Sequence, residues 1–262
     1  MLFKRELKRN LKSFIVAVTI CSVLVMYIIS MAPSFGSDIQ QILNMKLPKQ
    51  MQTAMGLIGL NYNDPISFYC VVFSYVYLFF SIYVAGTFAT IVSKEYSDKT
   101  AEFLFSLPAK RLQIIWTKLN VAFLYTVLSV VIIFLVSWMS FVIFIKDSYD
   151  LTPVLMMSLA WLIGGLTFGS MAFFISSFLI KSRSASATSV GIILIMYMMQ
   201  VVISLNGKLD FLKFSSPFDW FKGPEIVSNG GLSVTYCLIA LFFILTFFIT
   251  GIRRFNKMDV LI

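Results

Sequence analysis

Six runs of apolar residues without a single charge divide this chain: 13–32, 66–92, 119–145, 151–180, 184–205 and 232–252. All 33 charged side chains fall between or beyond them. Each run reaches the roughly 20 residues that a helix needs to cross about 30 Å of hydrocarbon at 1.5 Å per residue. Buried helices of water-soluble domains seldom stay apolar for so long, and six such runs cannot all be core. The pattern predicts an all-α polytopic membrane protein: one transmembrane domain over residues 1–262, with six spanning helices.

Composition agrees. The chain is 59% hydrophobic with a mean hydropathy of +0.88, and 13% of it is charged, about half the share usual in soluble domains. Lys and Arg are distributed unevenly. Lys4, Arg5, Lys8, Arg9 and Lys12 precede the first run, and Lys94, Lys99, Lys110, Arg111 and Lys118 separate the second from the third. With Lys181, Arg183, Arg253, Arg254 and Lys257 this makes 15 basic residues on one side against 6 on the other. The positive-inside rule then places both termini in the cytoplasm. The net charge of +9 is thereby a topology signal, and no nucleic-acid partner is needed to explain it. The first run exceeds the 7–15 residues of a signal-peptide core and five more follow, so it is expected to stay as a span. Cys21, Cys70 and Cys237 all fall within spans, which implies no disulfide framework. The Lys- and Ile-rich usage suits a bacterial plasma-membrane protein.

The sequence also excludes chemistry. It contains no histidine, which removes His-ligated metals and Ser–His hydrolysis. No acidic pair lies at membrane depth, and no G-x-x-x-x-G-K-[ST] phosphate loop occurs. The chain is read as a non-catalytic membrane subunit without cofactors of its own. Without ionisable groups inside the spans it has no evident handle on a proton gradient, so its energy is expected from a partner on the charged side.

Two of the charged breaks carry patterns of their own. At the N-terminus, Leu2, Phe3, Leu7, Leu11 and Phe14 recur at helical spacing with Lys4, Arg5, Lys8, Arg9 and Lys12 on the other face. This suits an amphipathic interfacial helix, or simply a basic flank. In 93–118, Ser97 or Asp98 can cap a short helix over 101–107, which Pro108 ends. Phe103, Leu104, Phe105 and Leu107 are too many apolar groups to face only water, so a partner or the membrane interface must cover them.

At this point the sequence resembles the permeases of type-2 ATP-binding-cassette exporters. Their hallmark after the second span is an acid, a Gly-Thr, a leucine-rich stretch, then Leu-Pro and a basic residue. Glu95, Thr100, Glu102, Phe103, Leu104, Leu107, Pro108 and Arg111 match in order, followed by Lys118; Lys99 departs from the usual glycine. The resemblance implies that this segment, Phe105 included, is a cytoplasmic coupling helix docking on an ATP-binding-cassette ATPase that binds ATP and magnesium. It also implies a second permease, identical or paralogous, in a 2+2 assembly. The layout fits along the whole chain, with a long outer loop at 33–65, a short inner break at 181–183 and an outer stretch before the last span. In the family that stretch folds back as a re-entrant segment of short helices, and Phe211, Phe214, Phe218, Trp220 and Phe221 suit an interfacial position there.

Within the second run, Ser67, Cys70, Ser74, Tyr77 and Ser81 form one stripe at spacings of three and four. Thr188 and Gln200 lie in the fifth run. Such hydroxyl-bearing stripes face protein or a cavity rather than lipid. By the resemblance, the second and fifth spans line the substrate path; tight helix packing explains the same residues equally well. Gly165 and Gly169 at GxxxG spacing are read as packing glycines. Spans so rich in Phe and Met suit an apolar or amphipathic cargo, such as a peptide, antibiotic or lipid-like molecule. The alternative is a non-transport membrane module of the same layout, serving immunity, signalling or assembly.

Overall fold

The computed structural model describes residues 2–44, 65–97, 111–145, 149–179, 181–205 and 213–257. Eight helices make up almost all of this: α1 Leu2–Asn44, α2 Pro65–Ser97, α3 Arg111–Phe144, α4 Thr152–Ser176, α5 Ser182–Leu205, α6 Pro217–Trp220, α7 Gly223–Ser228 and α8 Val234–Lys257. The six long ones are each long and apolar enough to cross a membrane, and they correspond one to one with the six apolar runs. They alternate in direction. The start of α1, the α2–α3 and α4–α5 junctions and the end of α8 therefore lie at one end of the bundle, which carries most of the Lys and Arg and is called the basic end below.

The helices outrun the apolar blocks. α1 continues past Pro33 to Asn44, so the first twelve residues of the expected outer loop are helical; Ile39, Ile42 and Leu43 recur at helical spacing there. The N-terminal stretch is the opening of that same helix rather than a separate one. α2 runs five residues beyond its apolar block and α3 begins at Arg111. Ser97 is thus the last residue of α2; Asp98 and the short helix expected over 101–107 lie outside the described residues. At the far end Asp150 accepts the Thr152 N–H at 2.9 Å as α4 begins. That backbone N–H holds the Asp150 carboxyl below the usual carboxylate range.

The core sits on the α2–α4 pair. Of their most apolar stretches 56% and 61% is buried, against 17% for α5 and 11% for α8, so α5 and α8 turn one broad face outward. Three α4 glycines explain how α2 comes so close. A Cβ on Gly164 would lie 1.8 Å from the Tyr77 Oη, one on Gly165 2.6 Å from Phe80 and one on Gly169 2.7 Å from Phe88. The aromatic side chains of α2 occupy the space that side chains at these positions would fill. Trp161 of α4 stacks on Phe73 with ring centroids 5.5 Å apart and donates its indole N–H to the Phe73 carbonyl at 3.3 Å. Most span hydroxyls donate to the carbonyl one turn back, as Thr126 does to Ala122 and Ser158 to Val154, which keeps them satisfied in an apolar interior.

Candidate functional site

At the basic end the charged residues are not spread in solvent. Glu6 on the second turn of α1 is fully buried, as is Lys118 on α3, and Glu95 near the end of α2 is 2% exposed. The Lys118 Nζ donates to Glu6 Oε1 at 2.9 Å and to Glu95 Oε1 at 2.8 Å. Arg9 donates to Glu6 Oε2 at 2.7 Å and also to Glu95. The four groups close a ring of alternating sign: Glu6, Lys118, Glu95, Arg9. Arg5 lies at its rim, 3.6 Å from Glu6 and 3.7 Å from Glu95.

Within the ring two acids face two bases, and this pairing is what allows Glu6, Glu95 and Lys118 to be buried. The energetic consequence is asymmetric. A complete buried network contributes little over an apolar packing of the same shape, whereas loss of one member leaves an uncompensated buried charge at a cost of about 3–5 kcal/mol. Such a ring therefore holds a particular arrangement of helices more than it adds stability. Further ties reinforce that arrangement. The Tyr125 Oη of α3 donates to the Leu7 carbonyl at 2.7 Å, Phe14 lies against the Tyr125 ring at 4.7 Å between centroids, and Asn10 donates to the Glu6 carbonyl at 3.0 Å. The first turns of α1 are thus held to α3 on a polar face, while Phe3 and Leu11 point outward at 41% and 43% exposure. Of the basic residues expected on the outer face, Arg9 turns into the bundle, while Lys4, Arg5, Lys8 and Lys12 stay exposed.

The ring brackets the segment singled out from sequence. Glu95 stands three residues before 98–110 and Lys118 eight residues after it. Of the expected coupling residues, Glu95 belongs to the ring and Arg111 opens α3 on an exposed turn. Thr100, Glu102, Phe103, Leu104, Phe105, Leu107 and Pro108 lie outside the described residues. Glu6 and its partnership with Arg9 escape the sequence reading. Their one local signal is a single acid, three residues before an arginine, inside an otherwise wholly basic stretch.

The expected path residues separate into two groups. Ser67, Tyr77 and Ser81 are buried against the rest of the bundle. Ser74 donates to the Cys70 carbonyl at 3.2 Å, and the Ser81 hydroxyl has no hydrogen-bond partner among the described residues. Tyr77 looks inward to Gly164 and donates to the Pro217 carbonyl at 3.2 Å. Gln200, half-buried, donates to the Phe218 carbonyl at 3.4 Å, and Thr188 is exposed on α5. The α2 stripe serves contacts within this chain. The α2 side chains that open outward are instead Tyr75 and Phe79, at 42% and 45% exposure.

At the opposite end α6 and α7 fold into the bundle. Phe218 is inserted among Phe168, Tyr77 and Tyr197, with ring centroids 4.6, 4.9 and 5.5 Å away. Tyr77 lies twelve residues into α2, about 18 Å along its axis. Gly223 sits where a Cβ would be 2.9 Å from Cys70, and buried Asp219 pairs with Lys222 at 2.7 Å. Phe218, Trp220 and Phe221 are therefore core residues rather than interfacial anchors; Phe214 is 58% exposed, and Phe211 lies outside the described residues.

Six spanning helices with charge gathered at their ends define a multi-pass helical membrane protein. A sequence model of the family described as ABC-2 family transporter protein matches residues 1–260, and the chain belongs to that family, a transport permease. Among curated proteins none matches it.

Proposed function

We propose that this permease is the membrane-spanning half of an ATP-driven exporter, providing the path for an apolar or amphipathic substrate such as a peptide, antibiotic or lipid-like molecule. A separate ATP-binding-cassette ATPase, which binds the ATP and magnesium, docks on 98–110 from the cytoplasm, and two permeases join two ATPases. Family membership, the missing phosphate loop and the outward apolar faces of α5 and α8 support this reading.

The observation that carries it is the ring of Glu6, Arg9, Glu95 and Lys118. A segment pushed by an ATPase moves the bundle only if its ends are fastened to the spans. Here the helix entering the segment, the helix leaving it and the start of α1 meet in one buried network, so a displacement of 98–110 is delivered to three helices together. The basic end faces the cytoplasm in this account, as the excess of Lys and Arg requires.

The docking is tested by co-purification. Truncating an apolar anchor in an interface costs about 1–2 kcal/mol or more, roughly ten-fold in affinity. Phe103→Ala with Leu104→Ala is expected to release a co-expressed ATPase subunit and to lower transport while membrane insertion stays unchanged. Retention of the ATPase together with normal transport would show that the segment is only an interfacial loop.

A further inference from the structure

Between α1 and α2 runs an open groove of about 440 Å³, within the range of roughly 300–1,000 Å³ that small-molecule sites occupy. Its wall is largely apolar, at Ala17, Ile20 and Cys21 on α1 and at Phe79 and Ile82 on α2, and its polar residues are Lys12 and Ser13 at the basic end of α1 and Tyr83 on α2. Lys12 is exposed, takes no part in the ring, and has Lys8 exposed one turn before it. We propose that this groove holds one acyl chain of an anionic phospholipid, with the phosphate against Lys12 and Lys8.

Length and charge both select this occupant. From Lys12 to Cys21 the lining extends nine residues, about 14 Å along the axis of α1, close to the roughly 15 Å that one leaflet contributes to a 30 Å hydrocarbon core. Lys12 is the last charge before the first apolar run, so it stands at headgroup depth when the groove stands at acyl-chain depth. A polar cargo or a free anion would use the cationic mouth and leave the long apolar wall uncovered; a neutral lipid would use the wall and leave the lysines unmatched. The basic end faces the cytoplasmic leaflet, which carries the anionic lipids, and each Lys near that surface contributes about 1 kcal/mol of attraction. The inference rests on that orientation and not on the cargo or the ATPase, so its failure would leave the transport reading standing.

Native mass spectrometry of the full chain, released from nanodiscs of equal parts dioleoyl phosphatidylglycerol and dioleoyl phosphatidylcholine, tests it. Wild type should retain phosphatidylglycerol in preference. Lys12→Gln should lower that preference about five-fold, and Arg253→Gln, an exposed cation elsewhere at the same end, should not. Ala17→Phe, which fills the groove without touching its charge, should remove retained lipid of both kinds. Equal retention of the two lipids by wild type overturns the proposal, as does an unchanged preference in Lys12→Gln. A Val16→Cys variant that crosslinks to a second copy while no lipid is retained would overturn it too, by showing that another permease covers the groove.

Discussion

The two ends of the bundle are held together by different physics. At the basic end three helices meet through three buried charges and the half-buried Arg9, with Lys118 within 2.9 Å of both carboxylates. At the opposite end α6 and α7 are held by Phe218 among three rings and by side chains donating to backbone carbonyls. Charges at fixed sites tolerate few alternatives, because any shift separates a pair in a low-dielectric setting. Aromatic packing is less directional and can slide by fractions of an ångström before it loses much. Under the proposed function the basic end would be the stiff joint where force enters, and the aromatic packing of the opposite end the part freer to re-pack.

The contrast can be broken in a graded way. Lys118→Met should have the largest effect. It leaves Glu6 and Glu95 facing each other with Arg9 and the exposed Arg5 at the rim as their remaining cations, and about 3–5 kcal/mol of stability should be lost in thermal unfolding of the detergent-solubilised permease. Pairing it with Glu6→Gln should recover much of that loss, because Glu95 then keeps Arg9, with Arg5 at the rim, as its partner. Gly164→Ala is next. The added Cβ would meet the Tyr77 side chain within 2.5 Å at two atoms, and overpacking of this kind costs about 1–3 kcal/mol, read as a lower midpoint in the same assay. Smallest is Tyr77→Phe, which removes one hydrogen bond to the Pro217 carbonyl for about 1 kcal/mol and keeps the ring contact with Phe218. A Tyr77→Phe loss as large as that of Lys118→Met would erase the distinction between the ends.

Much of this architecture is legible in the sequence, because a bilayer imposes long uninterrupted apolar runs, and these locate all six spans. Helix ends are less so. Ser93 to Ser97 and Arg111 to Lys118 continue their helices in polar sequence, where hydropathy no longer distinguishes helix from loop. Glu95 and Lys118 both stand out by resemblance to the family, yet their partner Glu6 does not, since it lies 112 residues from Lys118 and only the folded chain brings them together. Periodicity finds the Ser67–Tyr77–Ser81 stripe but cannot tell which neighbour it faces; the glycines of α4 decide that. Aromatic composition alone fits Phe218 and Trp220 equally to an interface and to a core, and only the packing of Phe218 on Tyr77 of α2 and Phe168 of α4 distinguishes the two.

The joint itself is tested most directly by the ratio of substrate transported to ATP hydrolysed, in vesicles holding the permease with its ATPase. Glu6→Gln with Lys118→Met is the informative variant, since it opens the ring while leaving 98–110 untouched and much of the stability in place. The account predicts that the ATPase stays bound and hydrolyses ATP while transport per ATP falls several-fold. An unchanged ratio in a correctly inserted double variant would contradict it, and would reduce the ring to a packing device.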